Sequence, residues 1–136
     1  MSSEASPSSG ARIQISAMLS VRNGAKAVEF YQKAFEANVL FRIGEEGETV
    51  VAQLAVGNAE FWLADESPEH SNFSPETLQG SSVRMVMAVE DPDAAFARAL
   101  AGGAREVWPV ADQHGWRVGR IVDPFSHHWE IGKKLS

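Results

Sequence analysis

No cysteine occurs in this 136-residue chain, so neither a disulfide framework nor thiolate chemistry is open to it. That absence fits a cytoplasmic protein. No apolar run approaches the roughly 20 residues a membrane-spanning helix needs, which excludes a membrane-embedded chain. Basic clusters are also lacking: Lys133-Lys134 is the longest, and the net charge is −6. A nucleic-acid surface needs a basic footprint to offset phosphate charge, so nucleic acid is set aside as a partner. The opening "MSSEASPSSGAR" lacks the charged-then-apolar layout of a signal peptide, and residues 1–11 read as a disordered polar tail. No Ser-His-Asp arrangement, phosphate-cradling loop or dinucleotide fingerprint is visible; the glycines of "GEEGE" and "AGGA" belong to turns and helix ends. What is present is ordinary for one globular domain with a real core: 44% hydrophobic and 22% charged residues.

The chain repeats itself. From Arg12 to Val21, Ile13, Ile15, Leu19 and Val21 alternate with small or polar residues, which predicts a strand with one buried face. Asn23 is placed to cap the helix that follows, "GAKAVEFYQKAFEA". Its Ala27, Phe30, Tyr31, Ala34 and Phe35 make an apolar stripe at helical spacing, so Tyr31, the only phenol, belongs to the core. Strands are expected near 38–44, 49–56 and 59–65, with turns at Glu46-Gly47 and Gly57-Asn58. A Pro/Ser-rich linker loop occupies 67–80. Then the order recurs. Val83, Met85, Met87 and Val89 alternate, and Asp91-Pro92 supplies cap and first-turn proline for a helix ending at Gly102-Gly103. Strands follow near 105–111, 116–123 and 127–132. The halves align without a gap at an offset of 68, which matches Val21 to Val89, Phe61 to Trp129 and Leu63 to Ile131. The expected fold is α+β: two tandem βαβββ modules, 12–66 and 81–136, with curled mixed sheets forming a cleft.

Alternation assigns faces within those strands. Ile15, Leu19 and Val21 go under the first helix, leaving Ser16, Met18 and Ser20 opposite. Phe61 and Leu63 leave Glu60, Trp62 and Ala64 opposite, and Trp129 and Ile131 leave His128 and Glu130. After the linker, Arg84, Val86 and Ala88 take the opposite face. Curled sheets would turn these faces into a concave pocket, the usual setting for a small-molecule site. By the repeat, Ser16 corresponds to Arg84, Trp62 to Glu130 and Glu60 to His128.

Five stretches carry a resemblance: "MLSVRNGAKAVEFYQKAF", "GNAEFWLADESPE", "SPETLQG", "VEDPDAAFARALAGGA" and "GRIVDPFSHHWEI". In this order, from about Ile13 to Lys133, they resemble the vicinal oxygen chelate superfamily (glyoxalase I, bleomycin-resistance proteins, extradiol dioxygenases), and within it the PhnB-like, glyoxalase-like branch. The resemblance implies a homodimer and, in metal-using members, four ligands at positions that fall here on Ser16, Trp62, Arg84 and Glu130. Only Glu130 is a competent ligand type; arginine stays protonated and repels a cation. The expectation is therefore no metal cofactor. A relocated site of Glu60, His128 and Glu130, taking Zn, Ni, Fe or Mn, is the alternative.

The candidate ligand-binding residues are Ser16, Trp62, Arg84, Trp116, His128 and Glu130, with Glu130 the candidate catalytic residue. Arg84 and Glu130 either form a structural ion pair in place of a metal, or Arg84 grips a ligand's carboxylate, phosphate or carbonyl. Trp62 either fills the cavity or stacks on a planar ligand. Trp116 and His114 lie in "ADQHGWRVGR", where PhnB-like relatives carry a Tyr-Gly-Asp-Arg-like stretch. Trp129 is expected in the core, Trp108 in the core or an interface, and His127 at the surface. Two functions follow: a metal-free binding protein for an aromatic or anionic small molecule, or a glyoxalase-like lyase, isomerase or dioxygenase using Glu130.

Overall fold

A computed structural model describes residues 12–136; the expected polar tail at 1–11 lies outside the described residues. The first half runs β1 (Met18–Val21), α1 (Gly24–Phe35), β2 (Asn38–Ile43), β3 (Val51–Val56) and β4 (Ala59–Asp65). Between the halves, α2 (Pro75–Leu78) and a helical turn at Pro68–His70 give the expected loop local structure. The second half runs β5 (Arg84–Ala88), α3 (Pro92–Gly102), β6 (Arg105–Gln113), β7 (Trp116–Val122) and β8 (His128–Lys134). The two long helices begin as their caps dictate. Asn23 accepts from the Lys26 N–H at 3.1 Å, and Asp91 from the Ala94 N–H at 3.1 Å, with Pro92 in the first turn.

Two four-stranded mixed sheets form, ordered β1-β4-β3-β2 and β5-β8-β7-β6. The internal repeat holds at the level of single Cα pairs. Met18 faces Trp62 and Leu19 faces Leu63 in the first sheet; Val86 faces Glu130 and Met87 faces Ile131 in the second. Each helix lies on its own sheet, and α1 packs on α3. At their crossing a Cβ on Gly102 would stand 2.7 Å from the Ala34 Cβ, so this approach requires glycine. The core between helices and sheets is apolar, with Val28, Leu54, Leu63, Ile121 and Ile131 fully buried.

One carboxylate inside that core joins the halves. Asp123, buried in the turn after β7, accepts from the backbone N–H of Phe125 (2.9 Å) and His127 (3.0 Å) and from Trp129 Nε1 (2.9 Å). Its fourth donor is the Tyr31 hydroxyl, from α1 of the other half. A buried charge is tolerated when its lone pairs are filled in this way.

Three expectations need correction. The first strand begins at Met18, not Arg12, because β4 pairs with it only from Trp62 onward. Without a ladder partner among the described residues, residues 12–16 form no strand, and Ile13 and Ile15 are 89% and 96% exposed instead of packing under α1. Val83 likewise precedes β5 and is exposed. His127, expected at the surface, is buried: its Nε2–H donates to the Ser20 carbonyl at 2.9 Å, a second tie between the halves.

Burial and the adjacent Asp123 carboxylate push the Tyr31 hydroxyl well above its ordinary pKa. A phenol whose pKa is raised by folding contributes its full stability below the unfolded value of about 10 and loses it as pH rises beyond. An ultraviolet titration of this lone tyrosine should therefore show no ionisation at pH 10 in the folded protein and ordinary ionisation in denaturant. Tyr31→Phe should cost about 1.5–3 kcal/mol at pH 7 by denaturant unfolding, the worth of a hydrogen bond to a charged group. It should also flatten the alkaline decline in stability. Ordinary tyrosine ionisation in the folded state would show that the bond to Asp123 does not form.

Candidate functional site

Alternation builds the open face of the second sheet. Trp129 and Ile131 of β8 are buried on the helix side, which turns His128, Glu130 and Gly132 outward. In β7 the buried Gly119 and Ile121 leave Trp116, Val118 and Arg120 on the same outward face. β5 adds Arg84, Val86 and Ala88.

Glu130 is the centre of this face, set between Val86 of β5 and Arg120 of β7 by register. Its Oε2 accepts a hydrogen bond from Arg120 Nη2 at 2.6 Å and forms an ion pair with Arg84, whose Nε stands 2.7 Å away. The two arginines differ in freedom: the Arg120 side chain is 23% exposed and the Arg84 side chain 58%. Short charge-assisted contacts offset the desolvation of a half-buried carboxylate. Two guanidinium groups on one carboxylate leave the cluster with one excess positive charge. Arg120 also covers a face of Trp108, its guanidinium carbon 5.5 Å from the ring centroid.

Beside Glu130 lies a cavity of about 300 Å³, walled by Val86, Trp108, His114, Trp116 and Val118. A tight turn aims Trp116 into it. Gln113 pairs with Trp116 across His114 (φ 53°) and Gly115 (φ 81°), both in the left-handed region. Two positive φ values in succession give the turn whose twist matches a hairpin, and glycine takes its share without strain. All the walls of the cavity come from the second half of the chain.

His128 shares the outward face but borders a different depression, beside Arg22, Arg105, Val122 and Ser126. Burial, reinforced by the Arg120 charge, pushes its pKa down, so the imidazole is neutral at pH 7. Its Nδ1 and the Nε of Arg120 are buried with no hydrogen-bond partner among the described residues.

The remaining candidates lie in the first half. Trp62 is flanked in the ladder by Met18 and Gln53 and meets Phe41 edge-on, ring centroids 6.0 Å apart. Glu60 accepts from Gln53 Nε2 at 2.9 Å. Ser16 precedes β1 and is exposed. The structure thus joins Arg84 to Glu130, sets Glu130 and Trp116 on one cavity with His128 at the margin, and places Trp62 and Glu60 on the other sheet. Within one chain the alternative metal set of Glu60, His128 and Glu130 is not brought together: among the described residues no three His, Asp or Glu groups able to hold a metal cluster. Glu60 belongs to β4, and β4 is not in the sheet of β8. Nor do the four positions implied by resemblance fit a divalent cation. A serine, an indole, a guanidinium and a carboxylate already held by two arginines do not make a donor set.

Arg120 adjoins the site though sequence reasoning passed it over, and Trp108, expected in the core or an interface, is half-buried and walls the cavity. The signal for Arg120 was available: in "WRVGR" it has the parity of Trp116 and Val118. Trp108 carried none, because the β6 register shifts on both sides of it.

A family model for the "Glyoxalase/Bleomycin resistance protein/Dioxygenase superfamily" matches residues 13–131. An uncharacterized protein of Mycobacterium bovis is 38% identical over 126 residues, which cover 89% of this chain and 83% of that relative. The crystal structure of a gene product from Arabidopsis thaliana is similar with a TM-score of 0.70 at 25% identity, covering 90% of this chain and all (100%) of that one. The fosfomycin resistance protein FosX from Listeria monocytogenes, complexed with Mn(II) and sulfate, shares the fold with a TM-score of 0.66 at 17% identity, covering 93% of each chain. The doubled βαβββ order and the family match agree: the chain belongs to the glyoxalase/bleomycin resistance protein/dioxygenase superfamily.

Proposed function

We propose that the chain is a metal-free small-molecule binding protein of the bleomycin-resistance and PhnB-like kind, taking an aromatic or anionic compound beside Glu130. The observation that carries this reading is the clamp on Glu130. Both arginines contact the same carboxylate oxygen, so a cation approaching the one ligand-type residue meets two positive charges. Electrostatics favours instead an acceptor-bearing ligand, and the tryptophans of the cavity supply flat apolar contact. In this role Trp116 stacks, Arg84 and Glu130 orient polar groups, and His128 borders the site. Trp62 and Ser16, on the other sheet, join a pocket only if a second chain brings that sheet across.

Such an assembly has support in the outer face of the first sheet, where Met18, Phe41 and Ile43 are exposed on the face of Trp62. An exposed apolar sheet face of this kind marks an interface, and a homodimer covers it at no cost in new sequence.

Three measurements check the proposal. Tag-free protein incubated with excess Zn, Ni, Fe or Mn and then desalted should retain well under one equivalent. A stoichiometric metal lost on Glu130→Ala would replace this reading with a glyoxalase-like lyase, isomerase or dioxygenase. Sedimentation should give twice the chain mass, shifting to the monomer on Phe41→Asp; a wild-type monomer would remove the dimer. A ligand screen by tryptophan fluorescence should find aromatic compounds whose quenching is lost on Trp116→Phe, and failure of every compound to quench would count against stacking.

A further inference from the structure

The clamp on Glu130 is one-sided. Oε2 takes both arginine contacts, whereas Oε1 has no hydrogen-bond partner among the described residues and is not one of the buried unsatisfied atoms. Because Glu130 lines the cavity, Oε1 is an open acceptor there. Arg84 Nε stands 2.7 Å from Oε2, and its two terminal nitrogens donate no hydrogen bond among the described residues. An acceptor on the cavity wall therefore has a guanidinium beside it, on Arg84 just outside the lining, and two indoles stand along the walls.

This pairing discriminates between ligand classes. A carboxylate or phosphate satisfies Arg84 but sets a second negative oxygen against Oε1. A plain aromatic ring satisfies neither group and leaves both to be desolvated, which costs free energy. A ring that holds an N–H beside a C=O matches both: the N–H donates to Oε1 and the carbonyl accepts from Arg84. The cavity, at about 300 Å³, is at the small end for ligand sites, which suits a compact ring system over an extended chain.

Resting on the binding-protein reading above, we infer that the site selects flat cyclic amides: lactam or imide rings whose N–H and C=O share one edge. Glu130 is then the specificity-determining residue, and its former ligand position reads a hydrogen-bond pattern. Arg120 is a positioning residue that holds Oε2 so that Oε1 faces the ligand.

Four ring probes of similar size test this by calorimetry on the full chain: oxindole, N-methyloxindole, 2-indanone and indane-2-carboxylate. Oxindole should bind, and N-methyloxindole and 2-indanone about tenfold more weakly or worse, the effect of one lost hydrogen bond to a charged group. Indane-2-carboxylate should bind no better than 2-indanone. In Glu130→Ala the order should invert: the preference for oxindole disappears and the carboxylate gains, because both arginines are released. Should Glu130→Ala fail to fold, as judged by circular dichroism, Arg84→Met tests the other half. It should weaken oxindole and 2-indanone alike while leaving the N-methyl penalty in place. Equal binding of all four probes, or a wild-type preference for the carboxylate, overturns the cyclic-amide inference and leaves an aromatic binding site standing. No binding by any of the four overturns both.

Discussion

The buried carboxylate of Asp123 is the constraint on which the remaining structure depends. An ionised group in an apolar core must have its oxygens filled, and the sequence around it supplies the donors: two backbone N–H groups, an indole and a phenol. Filling them fixes the turn after β7, the start of β8 and the seat of Trp129. It also draws Tyr31, and with it α1, onto the second half of the chain. Everything outward of β8 inherits that placement. The turn sets where His128 begins the strand, the strand sets the parity of Glu130, and Glu130 sets which way the two arginines point.

Much of this was legible from residue order. The offset of 68 matched equivalent positions of the two halves, and the registers at Met18–Trp62 and Val86–Glu130 are related by it. The helix starts at Asn23 and Asp91 were readable because capping is local chemistry. Strand parity placed Glu130 on the outward face for the same reason, since alternation needs no knowledge of distant residues. What failed depended on partners far away in sequence. Residues 12–16 alternate like a strand, but alternation does not provide a neighbour, and β4 offers one only from Trp62. His127 looks like a solvent histidine until β1 is known to present the Ser20 carbonyl beside it. Arg120 followed from parity yet drew no notice, because an arginine on an outward face is most often just solvated.

One fold can surround its inner carboxylate positions with different charges. FosX from Listeria monocytogenes is described with Mn(II) bound. In this chain the position that resemblance assigns to a ligand carboxylate is closed by two guanidinium groups. Two positive charges of the protein itself stand at that carboxylate, on side chains of unequal exposure. Arg120, pinned between Glu130 and Trp108, is structural in character. Arg84, more than half exposed, is the partner free to exchange its contact.

The contact between Tyr31 and Asp123 also says something about descent. Moved by the repeat offset, Tyr31 falls on Ala99 and Asp123 falls on Ala55, so neither member of the pair has a polar counterpart in the other half. The repeat is symmetric in strands, helices and registers, but not in this bond. If the chain arose by duplication of a half-length ancestor, two identical copies built from either present half could not have made this phenol–carboxylate contact. It belongs to the stage after fusion, when each half could specialise to hold the other. Cutting the chain at the linker would undo that step, leaving one fragment with a buried hydroxyl and the other with a buried charge, each short of its partner.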